Sequence, residues 1–379
     1  MSRAATERAV VAVNGGSSSV KCGLFTMEAI PRIIARTMIP RTGPSAQSEL
    51  IAWIESWIDR TAIDAIGHRI VHGGPVYSDP QIVTERVRAV LSQLVPFAPN
   101  HLPAEIELVD ALGRYAPDIP QVLCFDTAFH NRMPKVARRL PLPVAYDERG
   151  IRRYGFHGLS YAFLMDELTR VAGTRAANGR IVLAHLGNGS SLAAVRGGVG
   201  IDTTMGLTPI GGVVMSTRSG DLDPGVVTYL GRTDGLTADR LEEVLSGQSG
   251  LLALSQTTGD MQQLLAREPQ DPAAQLAIDS YVYSVVKACG ALAAALHGME
   301  TLVFSGGIGE HAAVIRARIC GALSFLGVDL DDAANRRHAD VISSPVSRVV
   351  VRVIPTDEEL MVAKAAHRLL ARDEDGDQR

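Results

Sequence analysis

Apolar runs of strand length alternate along this chain with turns of small and polar residues. Three of these runs, each leading into a glycine-rich turn, lie at 9–13, 181–184 and 301–304. The first two are followed by a second apolar run, which predicts strand–turn–strand elements at 9–25 and 180–196. Their turns read Asn14-Gly-Gly-Ser-Ser-Ser-Val20 and Gly187-Asn-Gly-Ser-Ser-Leu192, so we interpret them as one element that occurs in both halves of the chain.

The spacing of apolar residues elsewhere predicts further strands and amphipathic helices. Strands are expected at 65–71 and 121–125, and helices at 48–60, 102–112 and 274–297. The last helix is the longest and is apolar on one side, so we expect it to be buried between layers. Strands and helices in alternation, with an internal repeat, predict a duplicated α/β fold with a ligand cleft between its halves.

Composition indicates the number of domains and the kinds of molecule that the protein does not bind. The chain has 379 residues, 46% apolar residues and a net charge of −4, which suits about two domains and argues against nucleic acid or an anionic membrane as partner. Its start is polar, and we expect no apolar run to reach the roughly 18 residues that a membrane span needs. The four cysteines are far apart in apolar stretches, which predicts buried, reduced thiols and a cytoplasmic location.

The glycine-rich turns carry the most specific chemical signal. They lie at 14–21, 185–191, 217–223 and 305–310. Backbone N–H groups and hydroxyls in such turns can converge on phosphate oxygens. One such turn is common, but four in one chain favour an enzyme that transfers a phosphoryl group. The chain has no G-x-x-x-x-G-K-[ST] motif and no H-R-D or D-F-G set, which excludes P-loop enzymes and protein kinases.

Five polar residues are candidates for the chemistry. Asp126 follows a predicted buried strand, where α/β sheets place catalytic groups, although it could instead cap a helix. Arg69 and Arg218 lie beside small residues and could pair with phosphate oxygens, or they could be ordinary surface arginines. His157 and His185 lie within two residues of a glycine, and the alternative for each is a hydrogen-bonded core histidine.

Taken in order, the motifs resemble the acetate/propionate kinase family from residue 13 to residue 360. The matching stretches are at 13–21, 67–74, 125–130, 150–158, 185–191, 202–206, 217–221, 307–310 and 354–360. The resemblance implies an α/β, duplicated actin-like (ribonuclease H-like) fold with its active site in the interdomain cleft. It places one domain at 1–130 plus 360–379, and a second, with the nucleotide site and dimer interface, at 131–359. It also implies a homodimer and reversible, Mg²⁺-dependent transfer (Mn²⁺ possible) from ATP to a short carboxylate such as acetate.

The resemblance also assigns roles residue by residue. It implies catalytic roles for Asp126, Arg69, His157 and Arg218, and metal placement by Asn14 and Glu358. A pocket for the acyl group would be formed by Val71, Asn100, His101, Phe156 and Pro209. The nucleotide would be contacted by Ser17, Ser19, Lys21, His185, Leu186, Gly187, Asn188, Gly189, Asp260, Met261, Gln262, Gly306, Gly307, Ile308, Gly309 and His311.

Three positions depart from the family's common pattern. Asn100 stands where an apolar leucine is common, which makes this wall of the pocket polar unless Leu102 turns inward. We therefore expect acetate to remain a substrate with a weaker preference over other small acids. Gln262 and His311 replace a common arginine and asparagine on the nucleotide side. The acyl chain, propionate or butyrate included, and the phosphoryl donor therefore stay open.

Two other classes remain as alternatives. A sugar kinase or an exopolyphosphatase-like enzyme on the same fold would explain the turns and Asp126, but not Arg69 and Arg218 together with His157. A non-catalytic, actin-like binding module would tolerate loss of the two arginines, which this chain retains.

Overall fold

The computed structural model describes residues 7–16, 19–40, 46–58 and 61–376. The strands in this part are β1 (Glu7–Gly15), β2 (Ser19–Thr26), β3 (Ile33–Pro40), β4 (Thr61–Ile70), β5 (Gln81–Ile82), β6 (Gln121–Phe125), β7 (Arg180–Leu186), β8 (Ser190–Arg196), β9 (Val199–Thr203), β10 (Thr301–Ser305) and β11 (Val350–Val353). They form a six-stranded sheet and a five-stranded sheet.

The α-helices surround these sheets. They are α1 (Ala46–Ile58), α2 (Glu85–Gln93), α3 (Leu102–Tyr115), α4 (Lys135–Arg138), α5 (Val144–Glu148), α6 (Gly158–Ala177), α7 (Pro224–Thr233), α8 (Ala238–Gly247), α9 (Gly250–Ser255), α10 (Met261–Arg267), α11 (Pro272–Leu296), α12 (Gly306–His311), α13 (Ala313–Ala322), α14 (Asp332–Arg336) and α15 (Glu358–Gly376). Short 3-10 turns lie at Val95–Phe97, Ala128–His130 and Ser324–Leu326.

The chain divides into two compact units. Unit 1 comprises Met1–Asn131, Gly158–Phe163 and Asp357–Arg379. Unit 2 comprises Arg132–His157 and Leu164–Thr356. Each unit contains one of the two sheets.

The sheet of unit 1 has the strand order β3-β2-β1-β4-β6-β5. Strands β1, β2 and β3 form an antiparallel meander, and β4 and β6 continue from β1 in parallel. Alternate residues of β1 enter different cores: Val11 packs with the α1 side chains Leu50 and Ile54, whereas Val10 packs with Val362 of α15. Both faces of this sheet are therefore covered by helices.

The sheet of unit 2 repeats this arrangement. Its order is β11-β10-β7-β8-β9, with an antiparallel meander from β7 to β9 and with β10 and β11 continuing in parallel from β7. The two predicted strand–turn–strand elements are β1–β2 and β7–β8. Because each begins its own sheet, the predicted internal repeat is present in the fold.

Helix α11 is the longest helix of unit 2. It starts with Pro272 after the cap residue Asp271 and ends at the left-handed residue His297, close to the predicted range 274–297. In the part of the chain that is described, this helix alone is long and apolar enough to cross a membrane, so the expectation of no such segment is wrong by that measure. Its buried side chains, Tyr281 and Cys289 among them, join the unit 2 core, as expected of a core helix.

Most element boundaries agree with the predictions to within a few residues. Strand β6 matches the predicted range 121–125, and α3 extends three residues past the predicted end at 112. Strand β4 begins earlier than predicted because Thr61 pairs with Glu7 of β1. All four cysteines are free and buried, as predicted.

Candidate active site

Arg69 and Asp126 form a buried ion pair in unit 1. Strands β4 and β6 are parallel neighbours in which Arg69 lies opposite Cys124, so Asp126 follows at the same edge of the sheet. Asp126 is fully buried, and its Oδ2 accepts hydrogen bonds from Arg69 Nη2 at 2.5 Å and from Nε at 3.0 Å. The Arg69 side chain is 11% exposed, which rules out the surface-arginine alternative. The Asp126 carboxylate binds this guanidinium rather than serving only as a helix cap.

A second carboxylate, which the sequence analysis missed, lies beside Arg69. Glu105 of α3 has its Oε1 3.6 Å from Arg69 Nη1, and its Oε2 accepts the Val71 N–H at 2.9 Å. Burial alone would lower the pKa of Arg69, but Asp126 and Glu105 raise it above its ordinary value. The available signal was a single acidic residue on the apolar face of α3, between Leu102 and Ile106.

Asn14 joins the end of β1 to the start of α15. Its Nδ2 donates to Glu358 Oε2 at 2.7 Å and to Glu359 Oε1 at 2.8 Å. Burial, together with the neighbouring Glu358 carboxylate, raises the pKa of Glu359. Ser19 begins β2 and Lys21 is exposed on it, whereas the predicted nucleotide residue Ser17 lies outside the described residues.

The side chains of Asn14, Glu358 and Glu359 fit a magnesium ion. They carry amide and carboxylate oxygens, and hard Mg²⁺ prefers oxygen ligands. Within the described ranges, no group of three or more His, Cys, Asp or Glu side chains could hold a metal by itself.

The predicted acyl-pocket residues are divided between the two units. In unit 1, Val71 is 2% exposed, Asn100 is exposed and His101 is half-buried. The fully buried side chain of this segment is Leu102, at the first position of α3. In unit 2, Phe156 and Pro209 are both buried.

Two histidines and a serine lie together in unit 2. His157 stacks on His185 with ring centroids 4.2 Å apart, and its Nδ1 lies 2.9 Å from Ser191 Oγ. Its backbone has a φ of 57°, in the left-handed region that a residue other than glycine seldom adopts. Such strain is most often retained at functional sites, which favours the functional interpretation over that of a core histidine.

Arg218 lies beside the same group. Its Nη1 donates to the Pro209 carbonyl at 3.1 Å. A Cβ atom added to Gly189 would be 3.3 Å from Arg218 Nη1 and 3.4 Å from His157 Nε2. The two predicted catalytic side chains of unit 2 therefore approach the same glycine, at the turn between β7 and β8.

The β7–β8 turn lies close to the glycines of α12. Leu186 and Gly187 are buried, whereas Asn188 is exposed and accepts a hydrogen bond at its Oδ1 from Ser216 Oγ at 3.3 Å. Gly306 has a φ of 75°, and a Cβ atom there would be 2.7 Å from the Leu186 carbonyl oxygen. No other residue fits this position without moving the backbone.

The remaining predicted nucleotide residues differ in exposure. Gly307 and His311 are exposed, while Ile308 and Gly309 are buried. A further residue that the sequence analysis did not select, Glu310, accepts the Gly306 N–H at 2.8 Å and so holds the start of α12.

Residues 260–262 begin α10. The Asp260 carboxylate caps this helix by accepting the Gln263 N–H at 2.8 Å. Met261 is 4% exposed and belongs to the unit 2 core, and Gln262 is exposed. Asp260 and Met261 thus have structural roles here as well.

Comparison with known proteins identifies the family of this chain. Residues 51–364 match the model of the acetokinase family. The acetate kinase of Rhodopseudomonas palustris is 47% identical over 326 residues, which cover 86% of this chain and 81% of that protein.

Two solved structures share the fold. The acetate kinase of Porphyromonas gingivalis has a TM-score of 0.83 at 34% identity and covers 96% of this chain and 100% of its own. The propionate kinase of Francisella tularensis has a TM-score of 0.85 at 32% identity and covers 94% and 98%. These likenesses confirm the predicted actin-like α/β fold class, and the chain belongs to the acetokinase family.

Proposed function

We propose that the chain is an acetate kinase, which transfers the γ-phosphoryl group of ATP to acetate and gives acetyl phosphate and ADP. The family match and the curated acetate kinases at up to 47% identity support this activity. The observation that carries the site is the Arg69–Asp126 pair, which sets a cation and a buried carboxylate at the ends of two parallel strands. Transfer is reversible and direct, without a phosphorylated side chain.

Arg69 and Asp126 serve the acceptor. A guanidinium can pair with the oxygens of a carboxylate or of a phosphoryl group. Asp126 binds two N–H groups of Arg69, so the orientation of this cation is fixed before a substrate binds. Such pre-organisation lowers the barrier because less order has to be gained in the transition state.

Arg218 and His157 stabilise the transferring phosphoryl group. Phosphoryl transfer leaves charge on three equatorial oxygens, and positioned cations and hydrogen-bond donors do most of the catalysis. Ser191 fixes the His157 ring through Nδ1, which leaves the Nε2 side directed to Gly189.

Asn14 and Glu358, with Glu359 beside them, would hold Mg²⁺ or Mn²⁺. When bound, the metal neutralises charge on the donor phosphates. The protein's own part is to hold the two carboxylates in place, which the Asn14 amide does with one hydrogen bond to each.

The turns at 185–189 and 306–309 hold the nucleotide in this proposal, together with Ser17, Ser19, Lys21, His311 and residues 260–262. The close approach of Gly306 to Leu186 supports it, because two glycine turns side by side present several N–H groups to one ligand. We propose ATP as the donor, and the exposed Gln262 and His311 are the positions at which another donor would be selected.

A preference for propionate is the second candidate. The propionate kinase of Francisella tularensis is as similar in structure as the acetate kinase, and Asn100 is polar where the family resemblance implies an apolar wall. Asn100→Leu tests this candidate: the ratio of kcat/KM for acetate and propionate should change, and an unchanged ratio would show that Asn100 does not set the preference.

We further propose a cytoplasmic homodimer. The family resemblance implies the dimer, and unit 2 carries large exposed apolar side chains, including Tyr229 at 61% and Tyr283 at 66% exposure. Light scattering coupled to size exclusion at several protein concentrations measures the mass directly, and a monomer at all of them would contradict the dimer.

The decisive experiment measures MgATP-dependent acyl phosphate, trapped as the hydroxamate, with acetate, propionate and butyrate. The highest kcat/KM on acetate would establish the proposed activity, and a higher value on propionate would establish the second candidate. Asp126→Asn is the matched control, because it keeps the size of the side chain and removes its charge. If no acid gives acyl phosphate with ATP, other nucleoside triphosphates or pyrophosphate as donor, the kinase proposal is wrong.

A further inference from the structure

One buried carboxylate next to the proposed acceptor residues has no part in the function described so far. Glu105 is 2% exposed. Its two oxygens contact the Val71 N–H and the Arg69 guanidinium. Burying a charged carboxylate is unfavourable, and these two groups belong to the proposed acceptor site.

The contacts of Glu105 join three parts of that site. Arg69, the proposed cation of the site, lies on β4. Val71, one of the proposed apolar residues of the acyl pocket, follows the end of this strand directly. The Glu105 N–H also donates to the His101 carbonyl at 3.2 Å, a backbone hydrogen bond of the first turn of α3 that places Glu105 next to the segment containing Asn100. A displacement of the Glu105 side chain would therefore move the Val71 backbone and the Arg69 guanidinium together.

Glu105 also changes the balance of charge around Arg69. Asp126 Oδ2 lies 2.5 Å from Nη2, Glu105 Oε1 lies 3.6 Å from Nη1, and the Glu358 carboxylate also acts electrostatically on this guanidinium. An anionic acceptor is attracted by Arg69 and repelled by these carboxylates. Since buried charges are weakly screened, the charge of Glu105 opposes acceptor binding.

We propose that Glu105 is a positioning residue of the acceptor site, which holds the Arg69 guanidinium and the Val71 backbone in place and limits how tightly an anionic acceptor binds. This inference rests on the proposed function. The Glu105 carboxylate thus has two effects, one through its position and one through its charge. Different substitutions remove these two effects.

The test compares Glu105→Gln, Glu105→Ala and the control Glu107→Gln, an exposed glutamate on the same helix. Glu105→Gln keeps an acceptor for the Val71 N–H but removes the charge, so KM for acetate should fall by about threefold or more. Glu105→Ala removes both contacts, so kcat should fall by about tenfold. KM for MgATP should stay within about twofold in each variant, because the effect is confined to the acceptor.

Unchanged acetate constants in Glu105→Gln, or an equal change in KM for MgATP or in the Glu107→Gln control, would overturn the inference. If Glu105→Ala does not fold by circular dichroism, Glu105→Asp replaces it, since it keeps the charge and shortens the side chain. An undiminished kcat in Glu105→Asp would then contradict positioning.

The failure of the proposed function is distinguishable from the failure of this inference. If the parent protein makes no acyl phosphate, the function is wrong, and titration calorimetry with acetate alone still measures the charge effect. Tighter acetate binding by Glu105→Gln than by the parent supports the inference, and equal binding overturns it.

Discussion

The two groups of proposed catalytic residues are held by different kinds of contact. In unit 1, Arg69 is bonded to the fully buried Asp126 and lies near the buried Glu105. In unit 2, Arg218 donates to a backbone carbonyl, and His157 contacts a serine hydroxyl. A buried ion pair helps to fix the first group, whereas a backbone carbonyl, a serine hydroxyl and small neighbouring residues help to fix the second.

This difference matters because buried ion pairs and loop contacts respond differently to mutation. Removing one partner of a buried pair leaves an uncompensated charge, which costs about 3–5 kcal/mol. Removing a side chain that is held by a carbonyl leaves no buried charge behind. We therefore expect substitutions in unit 1 to affect activity and stability together, and those in unit 2 to affect mainly activity.

The largest effect is expected for Arg69→Ala. Activity should fall by at least about 10³-fold, since a positioned arginine supports phosphoryl transfer by that factor or more. The free energy of unfolding should fall by about 3–5 kcal/mol, because Asp126 and Glu105 lose their cation. Denaturant unfolding followed by tryptophan fluorescence measures this in unit 1, since both tryptophans, Trp53 and Trp57, lie in α1.

Arg69→Lys is the control for this change. Lysine keeps the charge but not the planar fork, so most of the stability should return while activity stays low. Full stability in Arg69→Ala would show that the pair with Asp126 contributes nothing to the fold.

Arg218→Ala should reduce activity by a similar factor, about 10³-fold, with little loss of stability. Its free energy of unfolding should stay within about 1 kcal/mol of the parent value, because the bond to Pro209 is made to a neutral carbonyl. Hydroxamate formation and denaturant unfolding measure the two quantities on one sample. A destabilisation equal to that of Arg69→Ala would contradict the comparison of the two units.

The pH dependence of stability tests the buried interior of unit 1. His68 precedes Arg69 on β4, and its Nε2 lies 2.6 Å from Gln121 Oε1. Burial lowers the pKa of His68 from 6.5 to about 4. Between these values the unfolded chain binds a proton that the folded chain does not, so stability is full above pH 6.5 and falls as the pH falls toward 4. The loss should be about 3 kcal/mol over this range.

His68→Gln is the matched variant for this measurement. It retains a hydrogen-bonding group near Gln121 and removes the titration, so its unfolding free energy should depend less on pH between 6.5 and 4 than that of the parent. Equal slopes in the two proteins would show that His68 does not titrate as its burial requires.

The sequence predicted the unit 2 group more fully than the unit 1 group, for a physical reason. Turn residues such as Gly187 and Gly189 are selected by local backbone geometry, so a short motif contains most of the arrangement. Contacts in unit 1 join distant segments: Glu358, on α15, lies 344 residues from Asn14, and Glu105, on α3, lies 34 residues from Val71. The resemblance pairs Asn14 with Glu358, but only the folded chain adds Glu105 and Glu359 to these contacts.

The acceptor segment shows the same limit. The resemblance places Asn100 at a pocket position and leaves open whether Leu102 turns inward instead, and the structure buries Leu102 and exposes Asn100. Which of two neighbouring side chains turns inward depends on where α3 begins, at Leu102. A shift of helix start by one residue changes the buried face, and sequence patterns locate helix starts poorly.

The smallest effect, and the sharpest test of unit 2, is expected for Gly189→Ala. The new Cβ atom would lie 3.3 Å from Arg218 Nη1 and 3.4 Å from His157 Nε2, so both side chains must move by a few tenths of an ångström. Misplacement on this scale should lower kcat by about tenfold. The free energy of unfolding should change by less than about 1 kcal/mol, because both neighbours are the ends of side chains.

Gly321→Ala separates this crowding from a general effect of replacing glycine. Gly321 lies in α13 with nothing within 4 Å of an added Cβ, so alanine should stabilise the protein by about 0.5–1 kcal/mol and leave kcat unchanged. If Gly189→Ala lowers kcat alone, the space at Gly189 sets the positions of Arg218 and His157. If it lowers both kcat and the free energy of unfolding, those two side chains also support the fold, and the contrast with the ion pair of unit 1 disappears.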